Sequence, residues 1–255
     1  MQRTYINEIK GKKDVFLQGW VHEIRELAKA KFILLRDATG IVQCVIKQEN
    51  KAFNNISKLS LESVVSINGK VKQAKLTSPE LSIKDFEIEV SNLELINKAE
   101  TLPIQIFEKD KNIVTDLSTR LDYRSLDLRK KRVKAIFKIQ SEISTSFKEF
   151  FKKNNFIEIQ TPSIISSASE GGTQLFSVNY FDKKVYLAQS PQLYKQLCAI
   201  SLEKVFLITP VWRAEKHNTI RHLNESRQMD IEVAFNDDMQ VMKYLEECVR
   251  FIVEN

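Results

Sequence analysis

Between Val205 and Phe235 the chain reads VFLITPVWRAEKHNTIRHLNESRQMDIEVAF. A polar stretch carrying Arg213, Glu215, Lys216, His217, Arg221, His222, Glu225 and Arg227 separates two apolar runs. Residues 205–209 are apolar and β-branched. Residues 230–235 alternate, so Ile231, Val233 and Phe235 face one way while Asp230 and Glu232 face the other. Paired as a hairpin, the two strands set Arg213 and Glu215, two residues apart and so on one face, near Asp230 and Glu232. The product is a polar sheet face of opposed charges, able to hold a charged ligand. A solvent-exposed hairpin laced with surface ion pairs has the same pattern.

Other chemistry-bearing residues lie upstream. Ser190-Pro191 signals a helix start, with serine as cap and proline at the first helical position. On that helix Gln192 and Lys195 are three apart and share a face, while Leu193, Leu197 and Ile200 are expected to face the interior. An amide and an ammonium pointing into one cleft suit a carboxylate ligand, although both residue types are common on exposed helix faces. The segment 163–173 is small and polar, and its Gly171-Gly172 pair permits hinge motion, so Ser169 and Glu170 are expected on a mobile lid. Glycine is otherwise scarce: it stands at 11, 19, 40 and 69 and nowhere after 172. Neither a P-loop nor a dinucleotide fingerprint can be written, and a bound nucleotide would have to be held by side chains.

The elements that must position these groups follow from periodicity. Residues 14–95 read as short strands at 15–21, 32–36, 41–47, 64–71 and 83–95, with a helical insertion near 50–59 and a bend or bulge at Gly69. That is the pattern of a small Greek-key barrel of the OB type, whose exposed face often binds single-stranded nucleic acid. Phe32, Gln43 and Glu87 could stack on a base and read its edge, though Phe32 could equally be core. Residues 97–132 have linker composition with a basic end, Arg120, Arg124, Arg129, Lys130, Lys131 and Arg132, fit to touch phosphates or simply solvated. Residues 133–154 form an amphipathic helix with Val133, Ile136, Phe137, Ile143, Phe147, Phe150 and Phe151 on one stripe. Residues 238–255 form a last helix, capped by Asp237 or Asp238, with Val241, Leu245, Val249 and Ile252 at helical spacing.

Composition sets the frame. The 255 residues are 43% apolar, ample for a core or two modest domains. The formal charge of +6, from 39 basic and 33 acidic residues, suits a polyanionic partner without demanding one. No apolar run approaches a membrane span and no signal-peptide core opens the chain. Cys44, Cys198 and Cys248 are widely spaced in apolar surroundings, as expected of free thiols in a reducing cytoplasm.

These residues carry a resemblance. RAEKHNTIRHLNE followed by MDIEVAF is similar to motif 2 of class II aminoacyl-tRNA synthetases. SEGGTQLF with LAQSPQLYKQ resembles the aspartyl-tRNA synthetases of archaeal and eukaryotic type. FKKNNFIEIQTP resembles motif 1, the dimer-forming helix and strand; RLDYRSLDLR resembles the hinge, and LQGWVHEI the anticodon-binding barrel. The similarities run in order from Tyr5 to Phe235. The resemblance implies an α+β chain: an OB-fold β-barrel at 1–96, a hinge at 97–132, and at 133–255 the N-terminal part of a catalytic domain, an antiparallel class II sheet flanked by helices.

It also implies roles. Arg213 would grip the α-phosphate of ATP, Glu215 hold the adenine end, and Arg221 and His222 reach the β- and γ-phosphates. Gln192 and Lys195 would bind aspartate, Lys195 at the side-chain carboxylate; Ser169, Glu170 and Asp230 would take its ammonium, with Glu232 completing the acidic wall. Phe32 would stack on the central anticodon base, with Gln43 and Glu87 reading its neighbours. The reaction implied is ATP-dependent adenylation of aspartate and transfer to tRNA(Asp), by a homodimer formed through motif 1. The glycine-rich motif 3 and its ATP-clamping arginine are not in the chain, nor are the Mg2+ ligands that the family supplies from that part; a complementary C-terminal chain would be needed for complete activity. Ser226 stands where eukaryotic members stack a phenylalanine on adenine. His22 stands where strict archaeal members carry tryptophan, and histidine there accompanies charging of tRNA(Asn) as well. The alternatives are an asparaginyl-tRNA synthetase, against which Lys195 argues because an ammonium suits a carboxylate, and a non-catalytic tRNA-binding paralogue.

Overall fold

The computed structural model describes residues 2–107, 114–167, 175–217, 219 and 222–255. It divides into two compact units, residues 1–130 and 131–255.

In the first unit, strands β1 (Asp14–Glu26), β2 (Ala30–Arg36), β3 (Ile41–Lys47), β4 (Val64–Gln73) and β5 (Phe86–Asn97) close into a barrel in the order β1-β2-β3-β5-β4. The β3–β5 pair is parallel and the others are antiparallel. A 3-10 turn over Phe53–Lys58 fills the expected insertion. This five-stranded closed topology is the OB-fold. Alternate side chains, among them Val15, Leu17, Ile33, Leu35, Cys44, Ile46, Ile67 and Ile88, form its core. The register slips between Asn68 and Gly69, and a Cβ at Gly69 would stand 2.5 Å from Ile88 Cγ2, so only glycine lets β5 approach there. β1 runs on to Glu26 across a bulge at Val21/Glu23, and β5 starts three residues later than its apolar pattern suggests.

The stretch after the barrel is less of a linker than its composition predicts. It holds two short helices, α1 (Leu117–Asp122), capped by Asp116, and α2 (Arg124–Asp127). Four of its cations are occupied. Arg120, Arg124 and Lys130 converge on the fully buried Asp127, at 3.0, 2.7 and 3.7 Å. Arg129 donates to Glu62 at 2.7 Å. These side chains are structural ion pairs and not the free phosphate contacts a basic run suggests.

The second unit opens with α3 (Lys131–Lys153), followed by β6 (Ile157–Glu158), β7 (Ile164–Ile165), β8 (Ser177–Tyr180) and β9 (Lys183–Leu187). Then come α4 (Gln192–Leu202), β10 (Lys204–Trp212), β11 (Glu225–Val233) and α5 (Asp238–Glu254). One sheet has the order β11-β10-β6 and a smaller one β7-β9-β8. β10 and β11 are antiparallel, whereas β6 joins β10 in parallel, the segment between them being long enough for a crossover. Helices cover both faces. Phe206, Ile208, Met229, Ile231 and Val233 pack with Phe147, Phe150 and Phe151 of α3 and Tyr244, Cys248, Phe251 and Ile252 of α5. Val205 and Leu207 point the other way, onto Ala199 and Cys198 of α4.

Three helix faces differ from the sequence expectation. On α4, Leu193, Leu197 and Ile200 are exposed, and Lys195 and Ala199 face the sheet. Small Ala199 lets the helix sit close, and carboxylates on the sheet draw Lys195 inward. On α5, Val241, Leu245 and Val249 are exposed, and the aromatic face is the buried one, which removes more area from water. The α3 stripe is buried at Phe147, Phe150 and Phe151, while Ile136 and Phe137 near its start are exposed. Asp237 caps α5 through a reciprocal box with Gln240.

Candidate functional site

The polar face of the sheet is built by α4 and β11. Lys195 is 9% exposed, and its Nζ lies 3.1 Å from Asp230 Oδ2 and 3.7 Å from Glu232 Oε2. One helical turn earlier, Gln192 donates to the same Glu232 oxygen at 3.4 Å. The strand period places Asp230 and Glu232 on this face, opposite Ile231 and Val233 in the core, as their alternation predicts. The helix start is fixed by the Ser190 hydroxyl, which accepts from the Gln192 amide at 3.2 Å; the cap position itself is Pro191. An ammonium, an amide and two carboxylates therefore meet in one half-buried cluster. Its charges complement a zwitterion carrying an extra carboxylate: ammonium against Asp230 and Glu232, carboxylate against Lys195.

Sequence reasoning missed Gln228, whose buried Oε1 has no hydrogen-bond partner among the described residues. It sits two residues before Asp230 and so on the same face. The even positions of β11, Ser226, Gln228, Asp230 and Glu232, were the available signal.

The hairpin pairs differently from expectation at its other end. Its register sets Leu207 opposite Asp230 and Val205 opposite Glu232, and continues to Trp212 opposite Glu225. Arg213 and Glu215 thus lie past the end of β10, against Asn224 and not beside Asp230; six residues of strand separate Leu207 from Arg213, about 20 Å. The reason is length: both strands pair well beyond the short apolar runs that announce them. The Arg213 amide donates to Asn224 O at 3.0 Å. The Asn224 side-chain amide, oriented from its hydrogen-bonding surroundings, donates back to the carbonyls of Arg213 and Glu215 at 3.2 and 2.9 Å. These bonds pin the strand exit and leave the Arg213 side chain exposed. His222 bonds to Thr219 Oγ1 through Nδ1 at 2.6 Å, with the His217 ring 5.2 Å away. Ser169, Glu170 and Arg221 lie outside the described residues. Phe235, expected to continue the β11 core face, follows the strand's end in a left-handed conformation and is exposed.

In the barrel, Phe32 stands on the outer face, opposite core residues Ile33 and Leu35, and is half-buried. The same face carries Gln43, which donates to Glu87 Oε2 at 2.8 Å. The three predicted residues therefore share one surface. At another side, buried Glu62 accepts from Arg36 and Arg129 at 2.6 and 2.7 Å, and both guanidiniums lie over the Trp20 ring. Arg36 also donates to His22 Nδ1 at 3.0 Å. Arginine has no acceptor, so the neutral His22 proton must sit on Nε2. Burial, reinforced by the Arg36 charge, holds the His22 pKa below its ordinary value. A cavity of about 1030 Å³ lies between His22, Glu62 and residues of the segment after the barrel; none of the candidate site residues lines it.

Comparison with known proteins decides the family. The sequence model of the tRNA synthetases class II (D, K and N) matches residues 116–255, and that of the OB-fold nucleic acid binding domain matches 15–96. The chain belongs to the class II tRNA synthetases. Its curated relatives include the aspartate--tRNA(Asp/Asn) ligases of Archaeoglobus fulgidus and Methanopyrus kandleri. The first is 45% identical over 253 residues, 97% of this chain and 57% of the relative. The second is 45% identical over 246 residues, 94% of this chain and 55% of the relative. Among solved structures, asparaginyl-tRNA synthetase from Pyrococcus horikoshii complexed with asparaginyl-adenylate superposes with a TM-score of 0.89 at 35% identity, covering 100% of this chain and 58% of that one. Aspartyl tRNA synthetase from Entamoeba histolytica gives 0.81 at 30% identity, covering 100% and 55%. This class II synthetase chain spans a little over half the length of the curated relatives it matches.

Among its described residues no helix is long and apolar enough to cross a membrane. Nor do three His, Cys, Asp or Glu side chains gather as a metal-ligating group among those residues. Asp230 and Glu232, the carboxylates of the site, are engaged by Lys195.

Proposed function

We propose that the chain is the anticodon-binding and N-terminal catalytic portion of an aspartate-tRNA ligase, activating L-aspartate with ATP and passing it to tRNA(Asp). The observation that carries this reading is the Lys195 ammonium, buried on the site face between Asp230 and Glu232 with Gln192 beside it. An incoming aspartate replaces these internal pairs with its own. Its side-chain carboxylate takes Lys195 and its ammonium takes Asp230, with Glu232, Gln192, Ser169 and Glu170 around it. An asparagine amide offers the Lys195 ammonium no charge to pair with, which disfavours the asparaginyl reading.

The reaction needs no general base. A carboxylate oxygen of aspartate attacks the α-phosphorus of ATP, and the bond to pyrophosphate breaks. Arg213 neutralises the charge that builds on the α-phosphoryl oxygens, while Glu215, Arg221 and His222 hold the rest of the nucleotide. Divalent metal, used with ATP in this class, would neutralise phosphate charge beside Arg213, with ligands supplied mostly by the part of the relatives that this chain does not match. In the barrel, Phe32 stacks on an anticodon base beside Gln43 and Glu87. The relatives named for tRNA(Asp/Asn) and the presence of His22 favour charging of tRNA(Asn) too. Exposed Ile136, Phe137 and Ile139 on α3 and Ile157 on β6 favour a second copy docked there as a homodimer. Three free cysteines accord with the cytoplasm.

ATP–pyrophosphate exchange tests the reading, measured on the chain alone and with the part of the A. fulgidus relative that it does not match. Aspartate-dependent exchange is expected with that part supplied. Exchange with asparagine only would sink the assignment, and tRNA binding without any exchange would favour the non-catalytic paralogue.

A further inference from the structure

Two phenylalanines of the second unit sit where local energetics disfavour them. Phe181 and Phe235 have φ of +50° and +57° and are 88% and 92% exposed. A left-handed backbone costs a bulky residue about 1–2 kcal/mol, and a solvated ring returns nothing to the fold. Phe181 occupies the two-residue turn between β8 and β9, where Asn, Asp or Gly is the physical norm. Its neighbours differ from those of Phe235, which precedes Asp237 and Asp238. The Tyr180 ring lies 4.8 Å from Phe181, edge to face, and is itself half exposed. Lys183 pairs directly across from Tyr180 and so shares its face; Lys184 follows on the other. Both lysines are exposed, and Asp182 is the one acid of the turn.

Two presented aromatic faces beside ammonium groups match a single-stranded nucleic acid, whose bases stack and whose phosphates need cations. An apolar protein partner would have no use for the lysines. The path from this tip also leads to the site: five residues of β9, about 16 Å of strand, bring the chain to Ala188, whose carbonyl accepts from the Trp212 amide at 3.0 Å, next to Arg213. Resting on the ligase reading above, we propose that the β8–β9 tip binds the unpaired 3′ end of the tRNA, with Phe181 stacked on a base and Lys183 and Lys184 at its phosphates.

The test uses the chain and labelled tRNA(Asp), intact or lacking its unpaired 3′ end, with affinity read by fluorescence anisotropy. Phe181→Asn suits the left-handed turn, so its thermal midpoint should hold or rise. Its affinity for intact tRNA should nevertheless fall about 5- to 150-fold, the equivalent of one stacked base, to the level of the truncated tRNA. Phe181→Trp should retain binding. Unchanged affinity of Phe181→Asn for intact tRNA, or an equal loss for both tRNAs, overturns the proposal. So does a changed oligomeric state at unchanged affinity, which would make the tip a contact between copies. Aspartate-dependent exchange needs no tRNA. Its failure with the unmatched part of the A. fulgidus relative supplied would overturn the ligase reading, whereas its persistence there beside an indifferent Phe181→Asn would overturn this inference alone.

Discussion

Removing the Glu62 carboxylate should loosen the first unit by an amount that can be worked out in parts. Glu62 is 5% exposed and neutralises two guanidiniums, Arg36, nearly buried, and Arg129, about a third exposed. Taking away one partner of a buried ion pair costs about 3–5 kcal/mol, because the remaining charge has lost its compensation. Arg129 can turn to water, so its share is on the order of 1 kcal/mol, and Arg36 carries most of the rest. The expected cost of Glu62→Ala is about 3–4 kcal/mol, and of Glu62→Gln, which keeps an acceptor oxygen but no charge, about 2–3 kcal/mol. The backbone supplies an internal control, since Glu62 has φ +66°. Glycine relieves that strain and alanine does not, so Glu62→Gly should be about 1 kcal/mol more stable than Glu62→Ala although both lack the carboxylate.

Urea unfolding measures this once the two units are read separately, because a single transition is not assured for a chain of two units. The chain has two tryptophans, Trp20 and Trp212. In a Trp212→Phe background the fluorescence reports Trp20, which lies under both guanidiniums. If Glu62→Ala and Glu62→Gly unfold at the same urea concentration, within about 0.5 kcal/mol of the unaltered chain, the ion-pair argument and the strain argument both fail.

Other outcomes follow from the same geometry. Lys195→Met leaves Asp230 and Glu232 facing each other unneutralised; aspartate-dependent exchange should vanish with tRNA affinity kept, and equal loss of both would indicate misfolding instead. Phe32→Ala should weaken tRNA binding by about 1–3 kcal/mol if the ring stacks on a base, and unchanged anisotropy titrations with a folded variant would remove Phe32 from the interface. The lowered His22 pKa makes stability depend on pH. The unfolded chain takes up the proton first, near its ordinary pKa of about 6.5. The first unit should therefore be most stable above that pH and lose stability as pH falls through the lowered folded value. His22→Gln should flatten urea midpoints between pH 7.5 and 5.5, and an unaltered slope would place the titration elsewhere. Asp127 acts in a different window: burial opposes it, but Arg120, Lys130 and Arg124 hold its carboxyl below its ordinary 3.8.

What was legible in the sequence was whatever depends on neighbours along the chain. The alternation of residues 230–233 put Asp230 and Glu232 on one face because a strand has period two whatever surrounds it, and the turn and apolar signals of residues 14–95 marked a barrel. What depends on distant partners was not legible. Lys195 turns inward because carboxylates 35 residues later draw it there, so the leucines of α4, favoured inside by hydropathy alone, face out. The basic run ending at Arg132 reads as solvated or phosphate-binding because nothing local marks Glu62 as the partner of Arg129, whereas Asp127, three residues from Arg124 and Lys130, is a partner that the local spacing already offers. Arg213 was misplaced because register is set by how far two strands pair, and β10 and β11 pair beyond the apolar cores that reveal them.

The corrected register gives the site a direction. Glu232, Asp230, Gln228 and Ser226 form a row along one face of β11, leading from the Lys195 cluster toward the end of the hairpin where Arg213 leaves β10. On the proposed reading the amino acid lies at the Glu232 end and the nucleotide toward Arg213, so the aspartyl-adenylate runs along the strand. Gln228 then falls beneath the middle of that ligand. Its buried Oε1, without a partner among the described residues, carries a desolvation penalty. A donor on the bound ligand, such as a ribose hydroxyl or the substrate ammonium, would satisfy it. On that reading the ammonium contact lies at one end of the adenylate, Arg213 at the phosphate in its middle, and Gln228 offers an acceptor between them.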